Sequence, residues 1–364
     1  MTSSPLHIGV IGAGFGTKVH VPGFQSEGVE VVAICTRHKE TAEKAAHEHG
    51  IPHVFTDYRE MLRHPGLDAV SITTPPPSHL EMVTAALDAG KHVICEKAFA
   101  MDQKEARAMW RKAEATGLTG MVAHEFRFAP ARAYVRDLLQ QGYVGDVRTV
   151  SMNLFIGPTS SRGLRTMNWG GQASQGGGFL KGLGSHYIDC MWDWSMEMTR
   201  VCGSTFVHDP ERLDPATGQK VRADADEAFA FMATLKNGGW ATMSATTMAP
   251  FGRSAMIQIY GSQGTLQTPQ AGLNPPPDGV VLGAKIGQDK EVHELPVPSQ
   301  YRPFDDPRDE RLMAFRLLVR RFLQGIAEGN SPSPNFHDGL RCQQVLDAVS
   351  QSATTGRWVD IAEG

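Results

Sequence analysis

The stretch KHVICEKAFA, Lys91 to Ala100, decides how the rest of the chain is interpreted. Three apolar residues, Val93–Cys95, follow a glycine at position 90 and end abruptly at a carboxylate and an amine, Glu96 and Lys97. A short apolar run bounded by a glycine predicts a buried strand. Charged side chains directly after such a strand lie where open parallel sheets place their chemistry, although a surface ion pair gives the same local pattern.

Strands and helices alternate along the first third of the chain. This alternation is typical of a doubly wound parallel sheet, an α/β fold. The predicted strands are Leu6–Ile11, Val29–Ile34, Asp68–Thr73, Val93–Cys95 and Thr119–Ala123, and the predicted helices end near Ser26, His49, Ala89 and Thr116.

A glycine-rich turn follows the first strand and opens the first helix. It reads Gly12-Ala13-Gly14-Phe15-Gly16. Glycines at such a turn let the backbone approach a pyrophosphate, which then sits on the helix N-terminus. The usual G-x-G-x-x-G spacing would place the third glycine at position 17, where the chain has Thr17, so the motif is irregular and a purely structural turn is the alternative.

The tip of the second strand indicates which dinucleotide is bound. In this fold an acid there bonds the adenine ribose, whereas a basic residue accommodates a 2′-phosphate. Here the tip carries Thr36 and Arg37, and the first acid is Glu40. Thr36 and Arg37 can donate hydrogen bonds to a phosphate, so the sequence favours NADP(H) and leaves NAD(H) possible.

Composition narrows the class of protein. The chain has 364 residues, 41% of them hydrophobic, which suits two globular domains. A net charge of −4 gives no indication of nucleic acid or of an anionic membrane. Five dispersed cysteines and a polar N-terminus without a signal peptide favour a cytoplasmic protein, and no histidine cluster has metal-ligand spacing.

The pattern changes after Glu125. A helix is predicted at Pro130–Gln141, and strand-like runs with turns such as Asn237-Gly238-Gly239 predict antiparallel hairpins. We therefore predict domains at residues 1–124 and 125–364, and we allow the C-terminal helix to pack back on the first. The later predicted elements are strands Val147–Phe155, Ala228–Leu235, Trp240–Thr246, Ala255–Tyr260, Gly264–Gln267 and Arg357–Ile361, helices Ser185–Trp194, Pro307–Glu328 and Asp338–Thr354, and a loop at Pro269–Asp278.

Taken together, these segments resemble the Gfo/Idh/MocA family of oxidoreductases. The resemblance spans essentially the whole chain. It implies an N-terminal Rossmann dinucleotide-binding domain and a C-terminal α/β domain with a large open, mostly antiparallel sheet, one face of which commonly forms a homodimer or homotetramer interface. The stretches that carry it are Ile8–His20, Leu67–His79, Ala89–Lys97, Gly142–Val147 and Gly176–Asp189.

The resemblance assigns roles to individual residues. The family's T-P-x-x-x-H segment, which runs along the cofactor, falls on Thr74, Pro75 and His79. Its E-K-P motif, with the catalytic lysine, falls on Glu96, Lys97 and Ala98. The cofactor-binding residues implied are Gly12, Gly14, Phe15, Gly16, Thr36, Arg37, Thr74, Pro75, His79, Glu96, Lys97 and Arg127, the last from a family segment near the nicotinamide.

The chain departs from the family at two positions. Ala98 replaces the proline of the E-K-P motif. Gly182 replaces the aspartate that completes the usual Lys-Asp-His constellation, although His186 and Asp189 are kept three residues apart. That spacing could place His186 and Asp189 on one face of a helix.

Hydride transfer from an alcohol needs the reacting carbon against the nicotinamide and a base for the hydroxyl proton. A lysine can be that base if desolvation or a nearby cation lowers its pKa, which makes Lys97 the first catalytic candidate. His186 is the second, as a hydrogen-bond partner or a proton donor. Arg165, Trp169 and Asp189 are further substrate candidates, since an arginine can bind hydroxyls and a tryptophan can stack on a sugar.

These residues predict an NAD(P)-dependent oxidoreductase that acts on a CH–OH group of a sugar, polyol or related cyclic compound. Two alternatives stay open: an NAD-dependent glycosidase that uses transient oxidation, and a non-catalytic regulator that senses nucleotide or sugar. The substrate itself is not predicted, because specificity lies in loops such as Phe155–Gly178.

Overall fold

The computed structural model describes residues 5–157, 159, 163–252 and 254–362. Residues 1–4 of the polar N-terminus and residues 158 and 160–162 of the predicted substrate loop lie outside this description. The described residues divide into two compact units: one from Met1–Glu125 with Asp306–Arg341, the other from Phe126–Asp305 with Cys342–Gly364. The predicted boundary between residues 124 and 125 stays a prediction.

The elements are numbered in chain order. The strands are β1 (His7–Ile11), β2 (Glu30–Cys35), β3 (His53–Phe55), β4 (Ala69–Ile72), β5 (His92–Cys95), β6 (Gly120–Val122), β7 (Val147–Phe155), β8 (Arg165–Thr166), β9 (Met198–Phe206), β10 (Glu211–Leu213), β11 (Lys220–Arg222), β12 (Ala228–Leu235), β13 (Trp240–Thr246), β14 (Ser254–Gly261), β15 (Gly264–Gln270), β16 (Leu282–Lys285), β17 (His293–Glu294) and β18 (Val359–Asp360). The helices are α1 (Val21–Ser26), α2 (Lys39–His49), α3 (Tyr58–Leu62), α4 (His79–Asp88), α5 (Gln103–Thr116), α6 (Pro130–Gln140), α7 (Ser185–Asp193), α8 (Leu312–Glu328) and α9 (Phe336–Thr355).

The first unit is built on a six-stranded parallel sheet in the order β3-β2-β1-β4-β5-β6. Its central strands are apolar without alternation, and every residue of β4 is buried. Strands covered by helices on both faces need such continuous apolar runs. The strand order reverses direction between β1 and β4, which is where open α/β sheets bind their ligands. The predicted Rossmann architecture is confirmed.

A C-terminal segment, residues 306–341, completes the core of the first unit. The amide of Val122 in β6 donates to the carbonyl of Pro334, at 3.0 Å. The ring of Phe336, at the start of α9, packs on Phe99 with 4.7 Å between ring centroids. Both rings are buried in the same apolar cluster as the parallel strands. The first unit is therefore assembled from two distant parts of the chain.

The second unit contains a nine-stranded sheet in the order β17-β16-β15-β14-β7-β13-β12-β9-β18. All its neighbouring strands pair antiparallel except β7 and β13, so the predicted mostly antiparallel sheet is confirmed. Alternate residues of β7, beginning with Val150, are buried in the core of this unit. On the opposite face, Met232, Trp240 and Tyr260 are 40%, 44% and 37% exposed.

The structure extends or corrects several predicted elements. Strand β9 was not predicted, because Cys202-Gly203-Ser204-Thr205 breaks any apolar alternation; Gly203 is needed there, since a Cβ would lie 2.6 Å from the carbonyl oxygen of Ala230. The loop predicted from Pro269 begins later, as β15 runs through Gln270. Helix α8 starts at Leu312 instead of Pro307, because aspartates pair with arginines before it.

Candidate active site

The glycine turn between β1 and α1 packs tightly against Thr73, the residue after β4, at its first and last glycines, and has free space at its middle glycine. Gly12 has a φ of +109°, which favours glycine, and a Cβ at Gly12 or Gly16 would lie 2.6 Å from the Thr73 hydroxyl oxygen. A Cβ at Gly14 would meet no atom within 4 Å. The backbone at Gly14 is thus open to a pyrophosphate, and the residues present fit a dinucleotide cofactor.

The irregular spacing of the third glycine has a structural counterpart. A π-helical turn, Gly16–His20, stands between the glycine turn and α1. Gly16 therefore makes the close approach to Thr73 one residue earlier than the usual spacing expects. The preceding residue, Phe15, lies under the guanidinium of Arg311, 4.9 Å from the ring centroid.

The tip of β2 has hydrogen-bond donors on it and acidic side chains near it. The Thr36 hydroxyl donates to the His38 carbonyl at 2.7 Å, and Arg37 is exposed. Within the described ranges the structure records no ion pair for Arg37. Two acids, Asp57 and Glu60, also lie near this tip. Burial first, and then their negative charges, raise the pKa of Cys35 to about 12.

His79 joins the loops that follow β4 and β5. Its Nε2 lies 2.7 Å from the Thr74 carbonyl oxygen and its Nδ1 lies 3.0 Å from the Phe99 carbonyl oxygen. The side chain is fully buried, and burial lowers the pKa of His79 against the opposing effect of both carbonyls. His79 therefore fixes the backbone of the loop after β4, in which Thr74 and Pro75 are half-buried.

Glu96 belongs to a buried chain of hydrogen bonds. His20 Nε2 lies 2.9 Å from its Oε1, and His20 Nδ1 lies 2.7 Å from the Ser71 hydroxyl oxygen. The other carboxylate oxygen accepts from the backbone amide of Lys97, at 3.2 Å. Burial alone would raise the pKa of Glu96, but the His20 hydrogen bond and the charges of His20 and Lys97 lower it. Glu96 is thus an ionised anchor for the backbone of half-buried Lys97.

Glu125 is a residue of this region that sequence reasoning missed. It follows β6 and is 2% exposed. Burial first, then the charge of Glu96, raise the pKa of Glu125 to about 8, although Lys97 and Arg311 oppose the shift. An acid two positions after the buried run Met121–Ala123 was the available signal, since a similar pattern singled out Glu96, which directly follows Val93–Cys95.

In the second unit, His186 lies on α7 and is buried against Phe126. The two rings are stacked, 3.8 Å between centroids and 11° between planes. A π-helical turn, Leu180–Gly184, leads into α7 without interruption. This stacking fixes the imidazole plane, so any proton that His186 carries is held in one direction.

Arg127 and Asp189 form a bidentate buried ion pair. Arg127 Nε and Nη2 donate to the two carboxylate oxygens of Asp189, both at 2.6 Å, and the side chains are 2% and 1% exposed. The structure therefore brings together a predicted cofactor residue and a predicted substrate residue, each facing the other. Such a pair ties the short 3₁₀ turn before α6, Glu125–Phe128, to α7, the helix that carries His186.

Arg165 and Trp169 lie near a cavity of the second unit. Arg165 forms an ion pair with Glu227, which also pairs with Arg212 at 2.5 Å. Trp169 is 47% exposed at the start of a short 3₁₀ turn. The cavity, about 260 Å³, is lined by residues that include Arg165, Asn168, Gly178, Phe179, Arg212 and Asp226.

The departures from the family pattern have defined surroundings. Gly182 lies in the π-helical turn, and a Cβ there would meet no atom within 4 Å. Gly178, in the same glycine-rich segment, has a φ of +117°, and its Cβ would lie 2.2 Å from the Asp226 carboxylate. Ala98 is buried, and the peptide bond before it is cis.

Two findings bear on membranes and metals. No helix in residues 5–362, apart from the few positions not described, is both long and apolar enough to cross a membrane. The same described residues contain no group of three or more His, Cys, Asp or Glu side chains arranged to hold a metal ion.

Comparison with protein-family models matches both halves of the chain. Residues 6–124 match "Oxidoreductase family, NAD-binding Rossmann fold", and residues 136–361 match "Oxidoreductase family, C-terminal alpha/beta domain". An uncharacterized oxidoreductase of Synechocystis sp. is 30% identical over 100% of this chain and 98% of its own length. Levoglucosan dehydrogenase of Pseudarthrobacter phenanthrenivorans is 26% identical over 98% of each chain.

Solved structures agree with these relatives. An oxidoreductase domain protein from Kribbella flavida superposes with a TM-score of 0.90 at 28% identity, covering 99% of this chain and 100% of that one. Levoglucosan dehydrogenase in complex with NADH and L-sorbose superposes with a TM-score of 0.88 at 25% identity, covering 100% of both. Fold and glycine turn thus define an NAD-binding oxidoreductase. The chain belongs to the Gfo/Idh/MocA family.

Proposed function

We propose that the protein transfers a hydride between a nicotinamide dinucleotide and a secondary alcohol or ketone of a sugar, polyol or related cyclic compound. The observation that carries this proposal is the position of Lys97, half-buried at the end of β5 and held by Glu96, in the unit whose glycine turn fits a dinucleotide. The names of relatives support the substrate class, since one is a levoglucosan dehydrogenase whose complex contains L-sorbose.

The protein's own residues would bind, orient and move one proton. The glycine turn and the Thr74–Pro75 backbone would hold the dinucleotide, which when bound supplies the hydride acceptor. Lys97 Nζ would take the hydroxyl proton as the carbonyl forms. His186, fixed by its stacking on Phe126, would be the second acid–base group and would supply a proton in the reductive direction.

The Arg127–Asp189 pair would act through α7 and not by contact with the reacting atoms. Because both carboxylate oxygens of Asp189 accept from Arg127, the pair keeps α7 in place and with it His186. Arg165 and Trp169 would contact more distant parts of the substrate, since they stand at the polar cavity and on the surface beside it.

The test is turnover by the purified protein with a panel of pyranoses, polyols and levoglucosan, each with NADP⁺ and with NAD⁺, followed by nicotinamide absorbance. We expect reduction of the nucleotide with at least one cyclic alcohol. Retention of a bound nucleotide through purification, with cleavage of a glycoside and no net nucleotide reduction, would contradict the proposal and point to the glycosidase alternative.

We further propose that NADP(H) is preferred over NAD(H). Arg37, exposed at the tip of β2, is available to a 2′-phosphate, and Thr36 stands beside it. Two observations favour NAD(H) instead: the relatives' complexes contain NADH, and Asp57 and Glu60 place negative charge near this tip. The choice therefore depends on whether Arg37 outweighs those two acids.

Substituting Arg37 tests this balance directly. We expect R37A to weaken NADPH binding about tenfold, or about 1.4 kcal/mol, because an exposed charged hydrogen bond is lost. NADH binding should not change. Fluorescence titration with each reduced nucleotide measures both. The control is K39A, since Lys39 lies two residues after Arg37, at the start of α2, and pairs with exposed Glu43. Tighter binding of NADH by the unmodified protein would refute the preference.

We also propose that the protein is a cytoplasmic homodimer or homotetramer. The face of the nine-stranded sheet that carries Met232, Trp240 and Tyr260 leaves large apolar side chains partly exposed, as a subunit interface would require. The cysteines are odd in number and dispersed along the chain, which suits a reducing compartment. Sedimentation velocity on the purified protein measures its oligomeric state, and a monomer would contradict the interface.

A further inference from the structure

A second carboxyl stands at the edge of the parallel sheet where Lys97 emerges. Strands β5 and β6 are neighbours, and the amide of Ala123, just after β6, donates to the carbonyl of Cys95 at 2.8 Å. The residues that follow these strands therefore leave the sheet side by side. They are Glu96 and Lys97 after β5, and Glu125 after β6.

Glu125 has fewer hydrogen-bond partners than Glu96. Glu96 has His20 and the Lys97 amide, whereas Glu125 Oε2 is buried without a hydrogen-bond partner among the described residues. A buried carboxylate oxygen without a hydrogen-bond partner is costly to ionise, and burial outweighs the hydrogen bond that Glu125 accepts from its own backbone amide, so Glu125 favours its neutral form. The charged groups of the first unit that act on Glu125 are Glu96, Lys97 and Arg311.

The protonation of Glu125 bears on what Lys97 can do. A base must be a neutral amine before it accepts a proton, and an ionised carboxylate beside a lysine stabilises the ammonium form. Since Lys97 lowers the pKa of Glu125, ionised Glu125 must stabilise protonated Lys97 to the same extent. Glu96 is already ionised, so Glu125 decides whether a second negative charge is added.

We infer that Glu125 is a positioning residue for Lys97: as a neutral carboxyl beside the lysine, it adds no second negative charge that would oppose transfer of a proton away from the ammonium form of Lys97. In the oxidative direction the hydride passes to the nicotinamide and the hydroxyl proton to Lys97 Nζ. The carbonyl product then leaves, and Lys97 returns that proton to solvent. The role of Lys97 rests on the proposed function, whereas the coupling of Glu125 to Lys97 does not.

The first test measures the neutral fraction of Lys97 without any substrate. The purified protein is labelled with trinitrobenzenesulfonate at a series of pH values, and labelling of Lys97 is followed by peptide mass spectrometry. We expect E125Q, which cannot ionise, to label severalfold faster than the unmodified protein above pH 8, with equal rates near neutral pH. The control is E114Q, an exposed carboxyl on α5, which should match the unmodified protein. Identical pH profiles for E125Q and the unmodified protein would overturn the inference.

The second test uses stability, so that it does not depend on the reactivity of Lys97. The pKa of Glu125 is raised from an ordinary 4.5 to about 8, so the folded state holds its proton more tightly than the unfolded state. The stability from this group is full below pH 4.5 and is lost as pH rises through about 8. Urea midpoints across this range should fall for the unmodified protein and E114Q, and this fall should be absent in E125Q. If E125Q falls in parallel with them, Glu125 does not hold the proton.

Turnover separates failure of this inference from failure of the proposed function. If replacement of Lys97 leaves nucleotide reduction intact, the proposed function fails, and labelling still reports the coupling. If that replacement abolishes turnover while E125Q labels like the unmodified protein at every pH, only the inference about Glu125 fails.

Discussion

Replacing Lys97 by methionine should lower kcat/KM for the best alcohol of the panel by about 100- to 10,000-fold, the usual contribution of a general base. Methionine keeps the length and the apolar stem of lysine and removes only the proton acceptor. The backbone amide that Glu96 holds at 3.2 Å is unchanged, so the loop should keep its conformation. NADPH and NADH titrations should therefore show that the variant still binds the nucleotide.

The matched control for K97M is K104M, which removes an exposed lysine from α5 of the same unit. K104M should retain full turnover. Turnover by K97M within about threefold of the unmodified protein would contradict both enzymatic interpretations, since a base that contributes so little falls outside the range of general catalysis. The sensor alternative would then gain support.

Replacing Arg127 by methionine should have the largest effect on stability, about 3–5 kcal/mol, because the buried Asp189 carboxylate loses both hydrogen bonds from Arg127. Both side chains are almost fully buried, and the two hydrogen bonds to Asp189 are each 2.6 Å long. The urea midpoint of the second unit, followed by tryptophan fluorescence, measures the change. Turnover should fall with it, because α7 carries His186.

Two further variants show whether charge or volume is responsible. R127M/D189L replaces the ion pair by apolar side chains and should recover most of the stability, since such replacements are often neutral. K220M breaks the exposed Lys220–Glu211 pair, 2.8 Å long, and should cost less than about 1 kcal/mol. If R127M cost no more than K220M, the pair would not hold α7.

The sequence predicted best where a period was regular or a terminus was marked. Strands β7, β12 and β13 have the predicted bounds and helix α2 ends at the predicted residue, because their apolar spacing is uninterrupted. Strand β9 was missed, since Cys202–Thr205 interrupts its apolar alternation, whereas in the fold it pairs with β12 and β18. The short edge strand β3 was missed because three residues are too few to show a period.

The candidate site divides in the same way. The glycine turn and Lys97 were identifiable from local sequence, because the turn closely follows strand β1 and Lys97 closely follows strand β5. The partner of Asp189 was not, because Arg127 lies 62 residues away and only the fold brings them together. Glu125 was not predicted, because it approaches Lys97 only through the pairing of β6 with β5. The local sequence does not indicate which strands are neighbours.

The joining of residues 306–341 to the parallel-sheet unit has a consequence for synthesis on the ribosome. Phe315 packs 4.2 Å from His20, and Phe336 and Leu340 belong to the same apolar cluster as β4 and β5. When residue 125 leaves the exit tunnel, this unit still lacks those side chains, and Phe24 and Val122 have no cover from them. The nucleotide-binding half must therefore wait as an incomplete intermediate while the second unit is translated, and it closes only when nearly the whole chain has emerged.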